Sequence, residues 1–290
     1  MTKYQVFTAN AFTDKQFCGN PAAVVLAPDD SPLSESQLLQ IAAELNLSET
    51  AFIVPKNASG PNAFQEASQF GLRWFTPTTE VSLCGHATLA TSFVVLEKLD
   101  NKSTELSFDT LSGKLVVRRG QDGRLDMTLP INPPRPVAIT EDIKLLVTSI
   151  YGEFRDSVEV ELSPTLNYLV VHDPSTTRDD VASSVPRFSR EAYTAGERLN
   201  LIAILVTAKG TDKDFHSRVF GPWVGALEDP VCGSAHTVLA PFWQSRLEKR
   251  SFSATQVSKR HGDLKVDIIS GTHIRISGRA VAVLEGMLTV

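Results

Sequence analysis

Two short segments place reactive side chains in the same local pattern, one in each half of the chain. They read Leu83-Cys84-Gly85-His86-Ala87 and Val231-Cys232-Gly233-Ser234-Ala235. Each follows a Phe-x-Pro sequence, and each is followed by an uncharged stretch suited to a helix. A pattern repeated at about half the chain length indicates a duplication. Reactive groups in both copies predict a site between the two halves.

Each segment stands where a loop is expected to turn into a helix. A helix start offers free backbone N–H groups and the positive end of the helix dipole, and these bind an anion such as a carboxylate. The glycines let a ligand come close to the backbone. We expect the same position to lower the pKa of a cysteine or to stabilise an enolate-like charge.

Each reactive residue also has a structural interpretation. A lone cysteine is often a small buried hydrophobe, and a lone His86 is often a structural histidine. Glu49 could be a solvated carboxylate at a strand end, and Asp229 could form a turn before Pro230. Their joint occurrence around a duplicated motif favours a functional site.

The composition excludes several classes of protein. The chain has 290 residues, 42% hydrophobic and 21% charged, which is typical of a globular protein of one large or two medium domains. Its net charge of −5 does not indicate the basic surface that nucleic acid binding requires, and the short Lys259-Arg260-His261 cluster is typical of a solvated turn. No segment has the apolar length of a membrane span or the form of a signal peptide.

The cysteines and histidines indicate the cellular compartment and the absence of a metal centre. The three cysteines, Cys18, Cys84 and Cys232, are far apart and form no Cys-x-x-Cys pair. This predicts a reducing cytoplasm and argues against a disulfide framework or a zinc site. The six histidines show no metal-ligand spacing, so no metal is expected.

Short β-branched or aromatic runs bounded by turn residues predict strands in both halves. In the first half they are Tyr4–Thr8, Ala22–Leu26, Thr50–Val54, Gly71–Phe75, Lys114–Arg118 and Asp126–Leu129. In the second half they are Tyr168–His172, Ile202–Thr207, Phe215–Phe220, Leu264–Ile269, His273–Ile276 and Ala280–Leu284.

Four helices are predicted, in two pairs. A capping box at Ser34 opens an amphipathic helix to about Leu45, and Thr140–Ile150 is its counterpart, so both should lie outside a sheet. Ala87–Leu96 and Ala235–Trp243 carry no charge and should be buried on all sides, with a sheet curled around each. Pro241 should bend the last of these helices.

The proline-rich residues 130–136 indicate a linker. We therefore predict an N-terminal domain over 1–130 and a C-terminal domain over 131–290, with a last strand free to pack back on the first domain.

Five segments together resemble the phenazine-biosynthesis PhzF-like isomerase family. They are Gly19-Asn20-Pro21-Ala22-Ala23-Val24, Asn46-Leu47-Ser48-Glu49-Thr50-Ala51-Phe52, Arg73-Trp74-Phe75-Thr76-Pro77, Leu83-Cys84-Gly85-His86-Ala87-Thr88-Leu89-Ala90 and Glu228-Asp229-Pro230-Val231-Cys232-Gly233-Ser234-Ala235-His236. The resemblance implies the α+β diaminopimelate-epimerase-like fold. In this fold two similar domains each wrap a curved, mostly antiparallel β-sheet or barrel around a central helix, and the active site lies in the cleft between them.

The resemblance also implies roles for individual residues. Glu49 is expected to be the acid/base group that moves a proton on a small carboxylic acid without a cofactor, since burial can raise the pKa of a carboxyl group toward neutrality. His86 and Asp229 are expected to orient the substrate or relay the proton. The expected substrate-binding residues are Asn20, Gly85, Gly233 and Ser234. The family also implies a homodimer.

Two alternatives remain open at this stage. Relatives with this fold that racemise amino acids use two opposed cysteines in Cys-Gly-x-Gly contexts, and Cys84 and Cys232 stand at those places. The second glycine is absent from both motifs here, and Glu49 lies in the isomerase-type Ser-Glu-Thr, so the isomerase interpretation is favoured. The other alternative is a protein-binding member with a residual site, because animal members of the family are associated with WD-repeat partners.

Overall fold

The chain divides into two compact units in a computed structural model that describes residues 1–28 and 33–290. Unit 1 comprises residues 1–128 and 277–290, and unit 2 comprises residues 129–276. Residues 277–290 belong to unit 1 because the last strand pairs with the first strand of the chain. Within the two described ranges, no helix is both long enough and apolar enough to cross a membrane.

The first part of the chain, up to the division between the units, contains eight strands and three α-helices among its described residues. They are β1 (Lys3–Ala11), β2 (Asn20–Leu26), α1 (Glu35–Leu45), β3 (Glu49–Pro55), α2 (Ala63–Glu66), β4 (Gln69–Phe75), β5 (Glu80–Val81), α3 (Gly85–Phe93), β6 (Glu105–Thr110), β7 (Gly113–Arg119) and β8 (Leu125–Pro130). A π-helical turn at Val94–Lys98 extends α3, and Gln121–Gly123 form a short 3₁₀ turn.

The remaining part contains four α-helices and ten strands. They are β9 (Arg135–Pro136), α4 (Glu141–Tyr151), β10 (Glu159–Ser163), β11 (Tyr168–His172), α5 (Arg178–Ser183), α6 (Arg190–Arg198), β12 (Ala203–Lys209), β13 (Phe215–Gly221), β14 (Ala226–Asp229), α7 (Gly233–Leu247), β15 (Ser251–Gln256), β16 (Gly262–Ile268), β17 (His273–Gly278) and β18 (Ala280–Thr289). A 3₁₀ turn at Pro222–Val224 joins β13 to β14.

Unit 1 places a helix on each face of a mixed sheet. The strands pair in the order β18, β1, β2, β3, β4, β6, β7 and β8, with β2–β3 and β4–β6 parallel and the other pairs antiparallel. Helix α3 packs against β1, β2, β3 and β18, and its residues from His86 to Ser92 are all buried. Helix α1 lies on the other face, where Leu38 and Ile41 pack with Val25 and Phe52.

Unit 2 repeats this arrangement. The strands β11 and β12 are parallel, β12 and β13 are antiparallel, and β13 and β15 are parallel. Unit 1 shows the same sequence of pairings in β2–β3, β3–β4 and β4–β6. Helix α7 is the buried counterpart of α3, and α4, α5 and α6 contribute residues to the core that covers β10 to β13. The two uncharged stretches are therefore buried helices, and the two amphipathic helices pack on the outer face, as the sequence predicts.

The strand registers define which residues of the two units are equivalent. Thr50 lies opposite Phe75 in unit 1, and Ile204 lies opposite Phe220 in unit 2. The same registers make Arg73 equivalent to Arg218, and both arginines pair with a glutamate of the next short strand, Glu80 and Glu228 respectively. This shared ion pair supports the equivalence and the duplication.

The proline-rich segment predicted as a linker is hydrogen-bonded to unit 2. Ile131 N–H donates to Thr272 O at 3.0 Å, and Asn132 N–H donates to Thr237 O at 3.1 Å. Arg135 and Pro136 form β9 beside β10. Prolines prevent a long strand here, yet the backbone donors that remain bind the segment to unit 2.

The predicted strands are all present, with ends that shift by up to five residues. Strands β5, β6, β9, β10, β14 and β15 and helices α2, α5 and α6 were not predicted, because their sequences are polar or short and lack a clear apolar period. Pro241 lies inside α7, where it leaves the carbonyl of Thr237 without its helical donor. The N–H of Asn132 takes that place, so the helix continues to Leu247.

Candidate active site

Glu49 is the first residue of β3, where the chain returns from α1 to the sheet. Helix α1 ends at Asn46, whose left-handed conformation (φ 49°) turns the backbone toward the sheet. Ser48 Oγ then donates to Pro21 O at 3.2 Å, which fixes the residue before the strand. The parallel register places Glu49 opposite Ala22 of β2. The Glu49 side chain is largely buried and retains 19% of its exposure.

His86 lies beside Glu49 at the start of helix α3. Its Nε2 is 3.1 Å from Glu49 Oε2 and 3.4 Å from Ser48 Oγ. The Nε2–Oε2 approach is a charge contact rather than a well-aligned hydrogen bond, since the Oε2 atom lacks an aligned donor. The other ring nitrogen, Nδ1, lies 3.4 Å from Cys84 Sγ. One imidazole thus joins the carboxylate to the thiol.

The charges of this pair stabilise each other. Burial alone would raise the pKa of the Glu49 carboxyl, but the charge and contact of His86, with Ser48, hold that pKa below its ordinary value. Burial alone would lower the pKa of His86, but Cys84 and Glu49 together raise it well above the ordinary value. An ionised Glu49 beside a protonated His86 is the consequence. The sequence-based expectation that burial raises the pKa of Glu49 is therefore wrong for this state, because the neighbouring imidazolium outweighs desolvation.

The expected activation of the cysteines is also wrong. Burial raises the pKa of the Cys84 thiol, and with the nearby Glu49 charge it outweighs the charge of His86, which acts to lower that pKa. Burial raises the pKa of Cys232 well above its ordinary value, with the Asp229 charge adding to it. Both residues are the N-caps of their helices. The loss of hydration is larger than the favourable effect of the helix start.

In unit 2 a hydroxyl group takes the place of the imidazole. Ser234 Oγ lies 3.0 Å from the Tyr168 hydroxyl and 3.3 Å from Cys232 Sγ. Burial raises the pKa of Tyr168, so its hydroxyl stays protonated at neutral pH. Tyr168 is the first residue of β11 and lies opposite Ala203 of β12.

Asp229 ends β14 and forms the turn into α7. Its Oδ1 accepts from Val231 N–H at 3.2 Å, as in a turn-forming aspartate. Gln256 holds the same turn from the end of β15, because its amide donates to Asp229 O and accepts from Cys232 N–H at 2.9 Å. Asp229 therefore forms the turn that the sequence suggested for it, and its carboxylate lies at the start of helix α7 in unit 2.

The strand register shows that the two units differ at the position of Glu49. Glu49 stands opposite Ala22, and the equivalent pair in unit 2 is Ala203 opposite Tyr168. Unit 2 therefore carries a buried alanine where unit 1 carries Glu49.

The predicted binding residues lie next to these groups. Asn20 begins β2 and is fully buried. Gly85 is the first residue of α3, and a Cβ there would meet only Met127 Cε, at an ordinary contact distance of 3.4 Å. Gly233 is the first residue of α7.

Within unit 1 the structure brings Glu49, His86 and Cys84 together, and within unit 2 it brings Ser234 and Cys232 together. Three contributors were not assigned from the sequence: Ser48, Tyr168 and Gln256. Ser48 lies in the family-like segment that contains Glu49. Tyr168 and Gln256 are brought to the site by strand pairing, for which a single sequence holds no local signal.

Comparison with known proteins identifies the family of the chain. The family model described as phenazine biosynthesis-like protein matches residues 9–286. The chain belongs to the PhzF-like family. A mouse protein named phenazine biosynthesis-like domain-containing protein 1 is 40% identical over 294 residues, covering 99% of each chain. A Pseudomonas aeruginosa protein named as an uncharacterized isomerase is 44% identical over 283 residues, covering 98% of each.

Solved structures confirm the fold. A PhzF-family phenazine biosynthesis protein of Enterococcus faecalis superposes with a TM-score of 0.84 at 34% identity, over the whole of both chains. The predicted α+β fold with two similar sheet-and-helix halves is thereby confirmed, as is membership of the family.

Proposed function

We propose that this protein is a cofactor-independent isomerase that moves a proton on a small carboxylic acid, with Glu49 as its acid/base group. The observation that carries the proposal is the contact between Glu49 and His86, 3.1 Å apart and largely buried at the start of helix α3. Membership of the family and the Pseudomonas relative named as an isomerase support the isomerase class.

The contact suits a two-step proton transfer. The Glu49 carboxylate removes a proton from a carbon of the substrate, and the electron pair of that C–H bond moves into the π-system of the acid. The protonated Glu49 then returns the same proton to a second carbon, which completes the isomerisation without net gain or loss of atoms. Because His86 holds the carboxyl pKa low, a protonated Glu49 beside it returns its proton more readily than an ordinary carboxyl group does.

The helix start supplies a partner for the carboxylate of the substrate. The first N–H groups of α3 have no donor role inside the helix. Gly85 has no positive φ and no close neighbour that requires glycine, so the missing side chain leaves the backbone open to a ligand. The substrate roles of Asn20, Gly233 and Ser234 and the orienting role of Asp229 stay predictions from the sequence.

The alternative with two opposed cysteine bases is less well supported. Both thiols are buried with raised pKa values, which favours the thiol over the thiolate that a base requires. Only unit 1 carries the glutamate, which suits an enzyme with a single acid/base group. The homodimer, the cytoplasmic location and the binding of a protein partner also stay predictions from the sequence.

Solvent-deuterium exchange tests the proposed function. The wild-type protein would be incubated in D₂O with a panel of unsaturated and cyclic carboxylic acids and of amino acids, and the products read by mass spectrometry and NMR. We expect one unsaturated or cyclic acid to change the position of its double bond, with deuterium at the carbon that receives the proton. Exchange confined to the α-carbon of an amino acid, with loss of chirality, would instead support the two-cysteine racemase.

A further inference from the structure

Glu49, Cys84 and His86 form a compact group of three metal-ligand types. One ligand atom from each residue can be chosen such that all three lie within 4.8 Å of one another. Cys84 and His86 are buried, and Glu49 is largely buried. No metal-ligand spacing is visible in the sequence, because Glu49 lies on a different segment and only the start of β3 brings it to α3.

The three ligand types suit zinc. Thiolate, imidazole and carboxylate are the three protein ligands of Zn²⁺, with bonds of about 2.0–2.3 Å, which place neighbouring ligand atoms of a tetrahedral site roughly 3.3–3.6 Å apart. The imidazole lies 3.4 Å from the thiol and 3.1 Å from the carboxylate. These contacts use opposite ring nitrogens, so a single ion needs one of the two partners to move to the other side of the ring.

Three protein ligands leave the fourth position open to water or a small anion. We propose that Glu49, Cys84 and His86 bind Zn²⁺ and that the bound ion blocks proton transfer by Glu49. The blocking role rests on the proposed function, whereas the binding does not. When the Zn–S bond forms, the thiol proton of Cys84 passes to solvent, and the lone pair of Glu49 that would accept a substrate proton is held by the ion.

Unit 2 offers an internal control for this site. Cys232 occupies the position equivalent to Cys84 at the start of the other buried helix, but its neighbour is the hydroxyl of Ser234 and the position of Glu49 is Ala203. Cys232 therefore lacks the imidazole of the first group, and its neighbouring carboxylate is that of Asp229 instead of a glutamate at the strand start.

Cobalt absorption tests the site directly. Co²⁺ would be titrated into the full-length protein, and the near-ultraviolet thiolate-to-cobalt band would be followed, with Zn²⁺ then added as a competitor. We expect the band in the wild type and in Cys232→Ala, and its loss in Cys84→Ala and Cys84→Ser. We expect His86→Gln and Glu49→Gln to weaken Zn²⁺ binding by at least 10- to 100-fold, the range found for lost outer-shell partners. Circular dichroism would check that each variant is folded.

A band that survives in Cys84→Ala, or that disappears in Cys232→Ala, would overturn the site. Once a substrate is known, Zn²⁺ should inhibit exchange and EDTA should restore it. Cys84-dependent binding in a protein without isomerase activity would leave the metal site standing and remove the proposed function. Isomerase activity that Zn²⁺ leaves unchanged would leave the proposed function standing and would overturn the blocking role of the ion.

Discussion

Two replacements distinguish the otherwise similar helix starts: Ser234 takes the place of His86, and Ala203 takes the place of Glu49. Cys84 and Cys232 are equivalent, and each has its neighbour two residues on within 3.4 Å. Glu49, in contrast, is replaced by Ala203 in unit 2. A duplicated frame in which only unit 1 carries the glutamate suits proton transfer by one group, and a pair of equivalent thiols suits transfer by two. Burial decides between them here, because it disfavours the thiolates, whereas His86 favours the ionised carboxylate.

His236 is a buried histidine outside the proton-transfer pair and affects stability. Its Nδ1 lies 2.8 Å from Cys232 O, its ring stacks on Phe215, and burial lowers its pKa to about 4. The unfolded chain binds a proton near pH 6.5, whereas the folded protein does so only near pH 4. The contribution of the buried, neutral His236 to folding stability is therefore complete above about pH 6.5 and is lost as the pH falls toward 4.

We expect this histidine to account for about 2–3 kcal/mol of the stability lost between pH 7.5 and pH 4.5. Urea unfolding at both pH values would measure it. His236→Gln should lose less stability between the two pH values than the wild type, and the exposed His273→Gln should behave as the wild type. An equal loss in all three proteins would contradict this assignment.

Helix α7 depends on a segment outside it for one of its backbone hydrogen bonds. Pro241 deprives the carbonyl of Thr237 of its helical donor, and the N–H of Asn132 supplies a replacement. The Asn132 side chain adds a bond to Thr237 Oγ1 at 2.9 Å and accepts one from Thr165 at 2.7 Å. The segment that precedes unit 2's first strand thus stabilises the central helix of that unit.

Asn132→Ala should lower the free energy of unfolding by about 1–2 kcal/mol, because its side-chain bonds to Pro130 O, Thr237 and Thr165 are all lost and the two hydroxyls lose a partner. Chemical denaturation would measure the change. Asn62→Ala is the matched control, since Asn62 is exposed and makes no capping bond with its side chain. If both variants were equally stable, the segment would have no stabilising role.

The elements were predictable where the pattern is local. The capping box at Ser34, the cap at Thr140 and the two uncharged helices follow from neighbouring residues, and the structure confirms them. The partner of Pro241 was not predictable, because Asn132 lies far away in sequence. The strands that were missed, such as β10 with its sequence Glu-Val-Glu-Leu-Ser, are defined by pairing more than by apolar content.

At the scale of the molecule, the duplication of the fold was visible in the sequence and the electrostatics of the site were not. The repeated Cys-Gly motif predicted two similar halves, and the parallel and antiparallel ladders of the two units follow the same order. The ionisation of Glu49 and the raised pKa values of the cysteines depend on burial and on contacts between segments, which a linear pattern does not contain.

The rate of proton exchange in Glu49→Gln, compared with Cys84→Ala and Cys232→Ala, tests the central claim most directly. The substrate found in the deuterium screen would be used at saturation, with its affinity measured separately by calorimetry. We predict that Glu49→Gln binds the substrate but exchanges at least about 10²-fold more slowly, the usual effect of losing a general acid/base. Cys232→Ala, which leaves the Glu49–His86 pair intact, should keep most of the activity. Loss of exchange in both cysteine variants, with an active Glu49→Gln, would contradict the assignment of Glu49.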